Sequence, residues 1–234
     1  MRRIPCTQCP THHHCIVRDL TPDQLEDYRA ASVCATYRPR QILFHEGAPA
    51  DGLYFLCLGA VKLFQSDRFG RDHILTVAGP GDVLSELSLD GPETHAVSAE
   101  ALSECQVSHL SRDALTALLQ RHPLLGVRLL SALGRALGAA RRKVGELALK
   151  RAEGRLAELL LQLSHANDPH GAWSAHVTLA YSRREIAEMI GVSTETAIRL
   201  LARLKQKRVI ETDHRELVVI DRERLARLAN HDAP

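Results

Sequence analysis

The stretch YSRREIAEMIGVSTETAIRLLARLKQKRVI, residues 181–210, limits what the chain can fold into more than any other. Ser182 stands three residues before Glu185, the spacing at which a serine hydroxyl and a glutamate carboxylate cap each other's amides at a helix start. A short helix is therefore expected to Ile190, with a tight turn at Gly191, a second N-cap at Ser193 and a second helix from Thr194 to about Gln206. Ala197, Leu200, Leu201 and Leu204 recur at helical spacing and mark the inner side of that second helix. Thr194, Glu195, Ile198 and Arg199 lie outward, with Arg203, Lys205 and Lys207 further along. Two helices joined this tightly present the N-terminal residues of the second to base edges in the DNA major groove. Ser193, Thr194, Glu195, Ile198, Arg199 and Arg203 are thus the candidate DNA-binding residues. VIETDHRELVVI then alternates like a β-hairpin turning near Asp213 to Glu216, which reads as a wing.

A long helix is expected upstream, because no further proline interrupts the chain from Pro123 to about Lys150. Leu130, Leu133, Leu137, Ala140, Val144 and Leu147 fall at alternating steps of three and four, the spacing of a coiled-coil seam, and predict a homodimer interface. Gly134, Ala136, Gly138 and Ala139 flank the seam and allow close approach. The glycines from 126 to 145 each weaken the helix by up to ~1 kcal/mol relative to Ala, which a partner helix has to offset. Residues 19–110 differ in character: short runs rich in Val, Ile, Leu, Phe and Tyr are separated by Gly47, Gly52, Gly59, Gly70, Gly79 and Gly81. Such spacing predicts a small antiparallel barrel or jelly roll, and the fold class expected for the whole is α+β.

CTQCPTHHHC, residues 6–15, is the remaining feature. No uninterrupted apolar run reaches ~18 residues and no charged-then-apolar leader is seen, so the chain reads as cytoplasmic with no membrane segment. In a reducing compartment its six cysteines argue for metal, cluster or redox work rather than for disulfides. Cys6, Cys9 and Cys15 are spaced Cys-x2-Cys-x5-Cys with His12, His13 and His14 between the last two, donors that suit iron or Zn2+, and thiols that suit a redox switch. Cys57, in the apolar run LYFLCLG, is expected in the core, and the sequence assigns no role to Cys34. The net charge of +2 conceals basic stretches at 141–155 and 183–208, which suggest a polyanion partner. An enzyme is not expected, since no nucleophile, base and orienting acid fall at a recognisable spacing.

A β-rich region, a long helix and a winged helix-turn-helix in that order resemble the CRP/FNR superfamily of bacterial transcription regulators over nearly the whole chain. GDVLSELSL looks like the family's effector-pocket segment, RAEGRLAELLLQLS its link into the DNA-binding domain, and EIAEMIGVSTETAIRLLARL its recognition unit. The resemblance implies a cysteine-rich arm at 1–18, a β-roll sensor domain at 19–122, a dimerisation helix at 123–150 and a winged helix-turn-helix domain at 151–234. The cyclic-nucleotide branch carries Gly-Glu-Leu and an Arg-Ser or Arg-Thr pair. Here Ser85 precedes Glu86 and Leu87, the later segment reads PETHAVSAE, and no arginine stands between Arg71 and Arg112. A buried phosphate would lack its charge-assisted bonds, so cyclic nucleotide binding is not expected. The FNR-type branch carries the spacing of Cys6, Cys9 and Cys15 and a distant fourth cysteine, matched by Cys105, which together imply a [4Fe-4S] cluster sensing oxygen, nitric oxide or redox stress. His14 and Pro10 depart from that branch's usual loop and change the shell beside the third cysteine, which tunes a cluster's potential and reactivity. A regulator of the same fold gated by another metal, haem or a small effector is the alternative. The resemblance also implies contact with RNA polymerase and a palindromic site with TGA and TCA half-sites, read by Glu195 and Arg199. Ile198 departs from the serine of the FNR-type pattern and suits a thymine methyl.

Overall fold

The computed structural model describes residues 15–18, 20–70, 72–85, 93–166, 176–178, 181–213 and 216–230. The chain divides into two compact units, residues 1–140 and 141–234.

In the first unit, helix α1 (Pro22–Ala31) starts at Thr21, whose hydroxyl accepts from the Gln24 amide while the Gln24 side chain accepts from the Thr21 amide. Strands β1 (Val33–Tyr37), β2 (Ile42–Phe44), β3 (Pro49–Ala50), β4 (Gly52–Leu58), β5 (Val61–Ser66), β6 (Asp72–Ala78), β7 (Glu93–Thr94), β8 (Ser98–Ala101) and β9 (Cys105–Ser111) follow, and then α2 (Arg112–Arg121). All pairings are antiparallel, in the orders β1-β9-β4, β2-β8-β5-β6 and β3-β7, which gives the β-roll. The β1-β9-β4 sheet is a shared wall. Successive side chains point to opposite faces of a strand, so Leu56 and Val107 join Val61, Ala78 and Ala99 in one core. Leu53, Phe55 and Leu110 join Leu25, Tyr28, Leu115 and Leu118 in the other. Burial on both faces is why β4 reads as an unbroken apolar run.

Two sequence expectations need correction here. Cys57 is half-buried, its thiol facing the Phe55 carbonyl at 3.8 Å, because it lies at the β4–β9 register shift between Leu56 and Leu58 rather than in the roll core. Gly52 is not a turn residue but the first residue of β4, where any side chain would overlap the Leu110 carbonyl oxygen. Gly59, by contrast, turns β4 into β5 at φ +89°, and an added Cβ would come within 2.7 Å of the Cys105 sulfur.

Helix α3 (Pro123–Leu149) spans the division between the units. By length and composition alone it could cross a bilayer. Its apolar residues instead form two faces: Leu125, Leu129 and Ala132 are buried in the α1–α2 core, whereas Leu130, Leu133, Leu137, Val144 and Leu147 are exposed, Leu130 to 71%.

The second unit contains α4 (Ala152–Ala166), β10 (His176–Thr178), α5 (Arg183–Ile190), α6 (Thr194–Gln206), β11 (Ile210–Asp213), β12 (Glu216–Val219) and α7 (Arg222–Asn230). Its core joins Leu156 and Leu160 of α4, Ile186 and Ile190 of α5, Ala197, Leu201 and Leu204 of α6, Leu217 of β12 and Leu225 of α7. The expected hairpin is present as β11–β12, with β10 added to form the sheet order β10-β12-β11.

Candidate nucleic-acid interface and effector site

Helix α5 begins as the sequence predicts: the Glu185 amide donates to the Ser182 hydroxyl at 3.2 Å and the Ser182 amide to the Glu185 carboxylate at 2.6 Å. It ends at Gly191, whose φ of +67° is the left-handed conformation that glycine adopts without steric cost. Ser193 caps α6 by accepting from the Thr196 amide at 3.3 Å. Burial of Ala197, Leu200, Leu201 and Leu204 then fixes the helix's rotation and turns Glu195, Ile198, Arg199 and Arg203 to solvent, with Ser193 exposed and Thr194 half-buried beside them.

The exposed side chains have complementary chemistries. The amide of Glu195 itself, then the Ser193 hydroxyl and the Arg199 charge, hold the Glu195 carboxyl below the usual glutamate range. It is thus an ionised acceptor suited to cytosine N4, while the Arg199 guanidinium suits guanine O6 and N7. In the free protein that guanidinium donates to the Thr196 hydroxyl at 3.2 Å, which keeps it over the first turn of α6. Ile198, 49% exposed, offers an apolar surface between them. Lys207, grouped with the outward cations by sequence, instead pairs with Glu153 at 2.9 Å. Arg208, exposed and at φ +53°, occupies the post-helix position where glycine is common. Arg199→Ala is expected to cost ~1–3 kcal/mol on a specific duplex and to relax preference at the guanine. Arg203→Ala, at an exposed cation further along α6, should weaken all sequences alike. Competition binding against scrambled DNA checks both.

Of the four cysteines expected to hold a cluster, Cys6 and Cys9 lie outside the described residues, as do His12, His13, His14, Glu86 and Leu87. Cys105, 1% exposed, is the first residue of β9, and its thiol donates to the carbonyls of Ala60 at 3.1 Å and Ser103 at 3.2 Å. Cys15 is half-buried against the α1–α2 core. The two thiols therefore belong to different cores, and among the described residues no group of three or more His, Cys, Asp or Glu is placed to hold a metal.

Next to Cys15, Ile16 and Val17 are buried with Leu125, Leu129 and Ala132 of α3, and Arg128 donates to the Ile16 carbonyl at 3.4 Å. Asp27 of α1 meets His122 at 2.8 Å and Arg121 at 3.1 Å, contacts that hold its carboxyl below the usual aspartate range. Residues 15–18 and 20–31 are thereby fastened to the start of α3.

On β5, Lys62 is the one buried lysine or arginine among the described residues; it lies on the strand face opposite Val61 and Leu63, which join the roll core, and pairs there with Glu100 at 3.1 Å and Asp72 at 3.7 Å. His95 is buried and stacks on Phe44 with ring centroids 3.9 Å apart.

Residues 34–122 match the family profile for the cyclic nucleotide-binding domain, and residues 154–228 that for the Crp-like helix-turn-helix domain. The CRP-like cAMP-activated global transcriptional regulator of Mycobacterium tuberculosis is 33% identical over 187 residues, covering 80% of this chain and 84% of that protein. The cAMP-activated global transcriptional regulator CRP of Salmonella typhimurium is 32% identical over 189 residues, covering 78% and 87%. Among solved structures, FixK2 from Bradyrhizobium japonicum superposes with a TM-score of 0.73 at 27% identity, covering 87% of this chain and 98% of that one. The c-di-GMP responsive global regulator CLP of Xanthomonas campestris gives 0.72 at 26% identity, covering 85% and 99%.

Proposed function

The chain belongs to the CRP/FNR family of DNA-binding transcription regulators, and from that premise we propose that it is a homodimer controlled by a [4Fe-4S] cluster held by Cys6, Cys9, Cys15 and Cys105. The chemistry of the donor set fits: four thiolates meet the cluster's demand for soft ligands, and a short loop carries three of them. The Cys105 thiol, now donating to two carbonyls, would give up its proton to ligate. When bound, the cluster supplies iron–thiolate bonds sensitive to oxygen, nitric oxide or redox state.

The observation that carries this reading is the docking of Ile16 and Val17 on Leu125, Leu129 and Ala132. Whatever orders or frees the thiol of Cys15 acts one residue away on the buried face of α3, and so on the population of paired helices. Acting in the cytoplasm, the paired state would present two α6 helices to a palindrome with TGA and TCA half-sites and a surface to RNA polymerase.

Anaerobic reconstitution with iron and sulfide tests the assignment. About four iron per chain and broad visible absorption are expected. Serine at Cys6, Cys9, Cys15 or Cys105 should bleach the protein, whereas Cys57→Ser should not. A full cluster in Cys105→Ser, or stoichiometric zinc in its place, would overturn it.

A second reading has specific support: the 34–122 match is to a cyclic nucleotide-binding domain, and two similar regulators are named as cAMP-activated. Against it stand Thr94, His95 and Ala96 in the segment where that branch carries its Arg-Ser or Arg-Thr pair, and a roll core in which no described lysine or arginine takes part. Calorimetric titration with cAMP should show no saturable heat. Saturable binding that tightens DNA affinity would favour the second reading.

A further inference from the structure

A helix leaves the carbonyls of its last four residues without intrahelical partners. In α5 these are Ala187, Glu188, Met189 and Ile190. The Val192 amide donates to Ala187 at 3.0 Å and the Gly191 amide to Glu188 at 3.4 Å, which is the ordinary glycine-capped ending. The other two are met by cations from other helices. Lys143 of α3 donates to the Met189 carbonyl at 2.6 Å, and Nε of Arg155 in α4 donates to the Ile190 carbonyl at 2.8 Å. Nη1 of Arg155 reaches the Lys150 carbonyl at 2.7 Å, so one guanidinium joins the end of α3 to the end of α5. Residues 141–149 of α3 belong to the same compact unit as α5 and α6.

Lys143 is half-buried, and loss of solvent draws its pKa below the usual lysine value despite the nearby Glu146. An ammonium kept partly out of water needs strong acceptors to offset that cost, and a helix C-terminus provides them. Leu147 closes the same corner: a Cβ on Gly191 would lie 3.3 Å from its Cδ2.

We propose that Lys143 and Arg155 are positioning residues for DNA recognition, which clamp the carbonyl end of α5 to the end of the dimerisation helix and so fix the Gly191–Ser193 turn that aims α6. The inference rests on α6 being the reading helix. Base contacts require α6 at a fixed depth and angle, whereas phosphate attraction tolerates looseness. Loss of the clamp therefore lowers specific binding more than nonspecific binding.

The probes are a duplex enriched from a random pool by the wild-type dimer and a scrambled duplex of equal length. Lys143→Met keeps the apolar stem and removes the ammonium. It should weaken the selected duplex by at least about tenfold and the scrambled one by less than about threefold, with sedimentation still dimeric. Lys143→Arg should restore binding. Arg155→Met, losing two carbonyl contacts, should lose more. If it fails to fold, Arg155→Lys, which keeps the charge but cannot reach both carbonyls, should give an intermediate loss. Affinity of Lys143→Met within about threefold of wild type on the selected duplex, or equal losses on both duplexes, overturns the proposal. Because the wild type selects the duplex, a misassignment of Glu195 and Arg199 would appear in the selected sequence and in Arg199→Ala, and would leave the clamp test standing.

Discussion

Leu133→Asp combined with Leu137→Asp is expected to leave the protein monomeric and to weaken binding to a palindromic duplex by about 10²–10⁴-fold, the gain that linking two binding sites normally provides. Both side chains are exposed on α3, on the face that does not pack against its own domain, so neither substitution removes a buried contact within the chain. In the dimer each carboxylate would meet its counterpart across a dry seam and lack any compensating charge. Sedimentation reads the assembly and urea unfolding reads the fold. A variant that stays dimeric would mean that the stripe from Leu130 to Leu147 packs against something other than its own copy.

Leu204→Ala should be among the most damaging single truncations in the DNA-binding unit, at ~2–5 kcal/mol of unfolding free energy. Leu204 is fully buried among α4, α5, α6 and the wing, where neighbours from several elements cannot all relax into the space it leaves. Ile198→Ala, on the opposite side of the same helix, should leave stability nearly unchanged and alter only the preferred base beside the guanine. The denaturation midpoint of the C-terminal unit separates the two. A loss under about 1 kcal/mol for Leu204→Ala would contradict the packing described.

Much of the DNA-binding half was legible in the sequence because its signals are local. Ser182 with Glu185, Gly191, and Ser193 are decided by chemistry within four residues, and the structure places the helix boundaries where those caps predict. Helices α1, α2 and α7 were not anticipated. Each is short and rich in charge, and its helical state depends on a few buried residues such as Leu25, Leu115 and Leu225 meeting distant partners. Cys57 misled because an apolar run does not reveal a register shift, which needs the partner strand β9. The clamp was equally invisible: Lys143 and Arg155 read as members of a basic run, and only the fold brings them to the carbonyls of Met189 and Ile190.

The effector assignment is more exposed to test than the fold, since spacing names four cysteines while the two described thiols sit in separate cores. Its most direct test is the affinity of the anaerobically reconstituted protein for its selected duplex, before and after exposure to air, with iron content followed on the same sample and Cys15→Ser run alongside. A cluster-gated regulator should lose at least about tenfold in affinity as iron is lost, and Cys15→Ser should bind weakly throughout with no response to air. Equal affinity before and after iron loss, or an unchanged air response in Cys15→Ser, would contradict control of DNA binding through the cysteine arm.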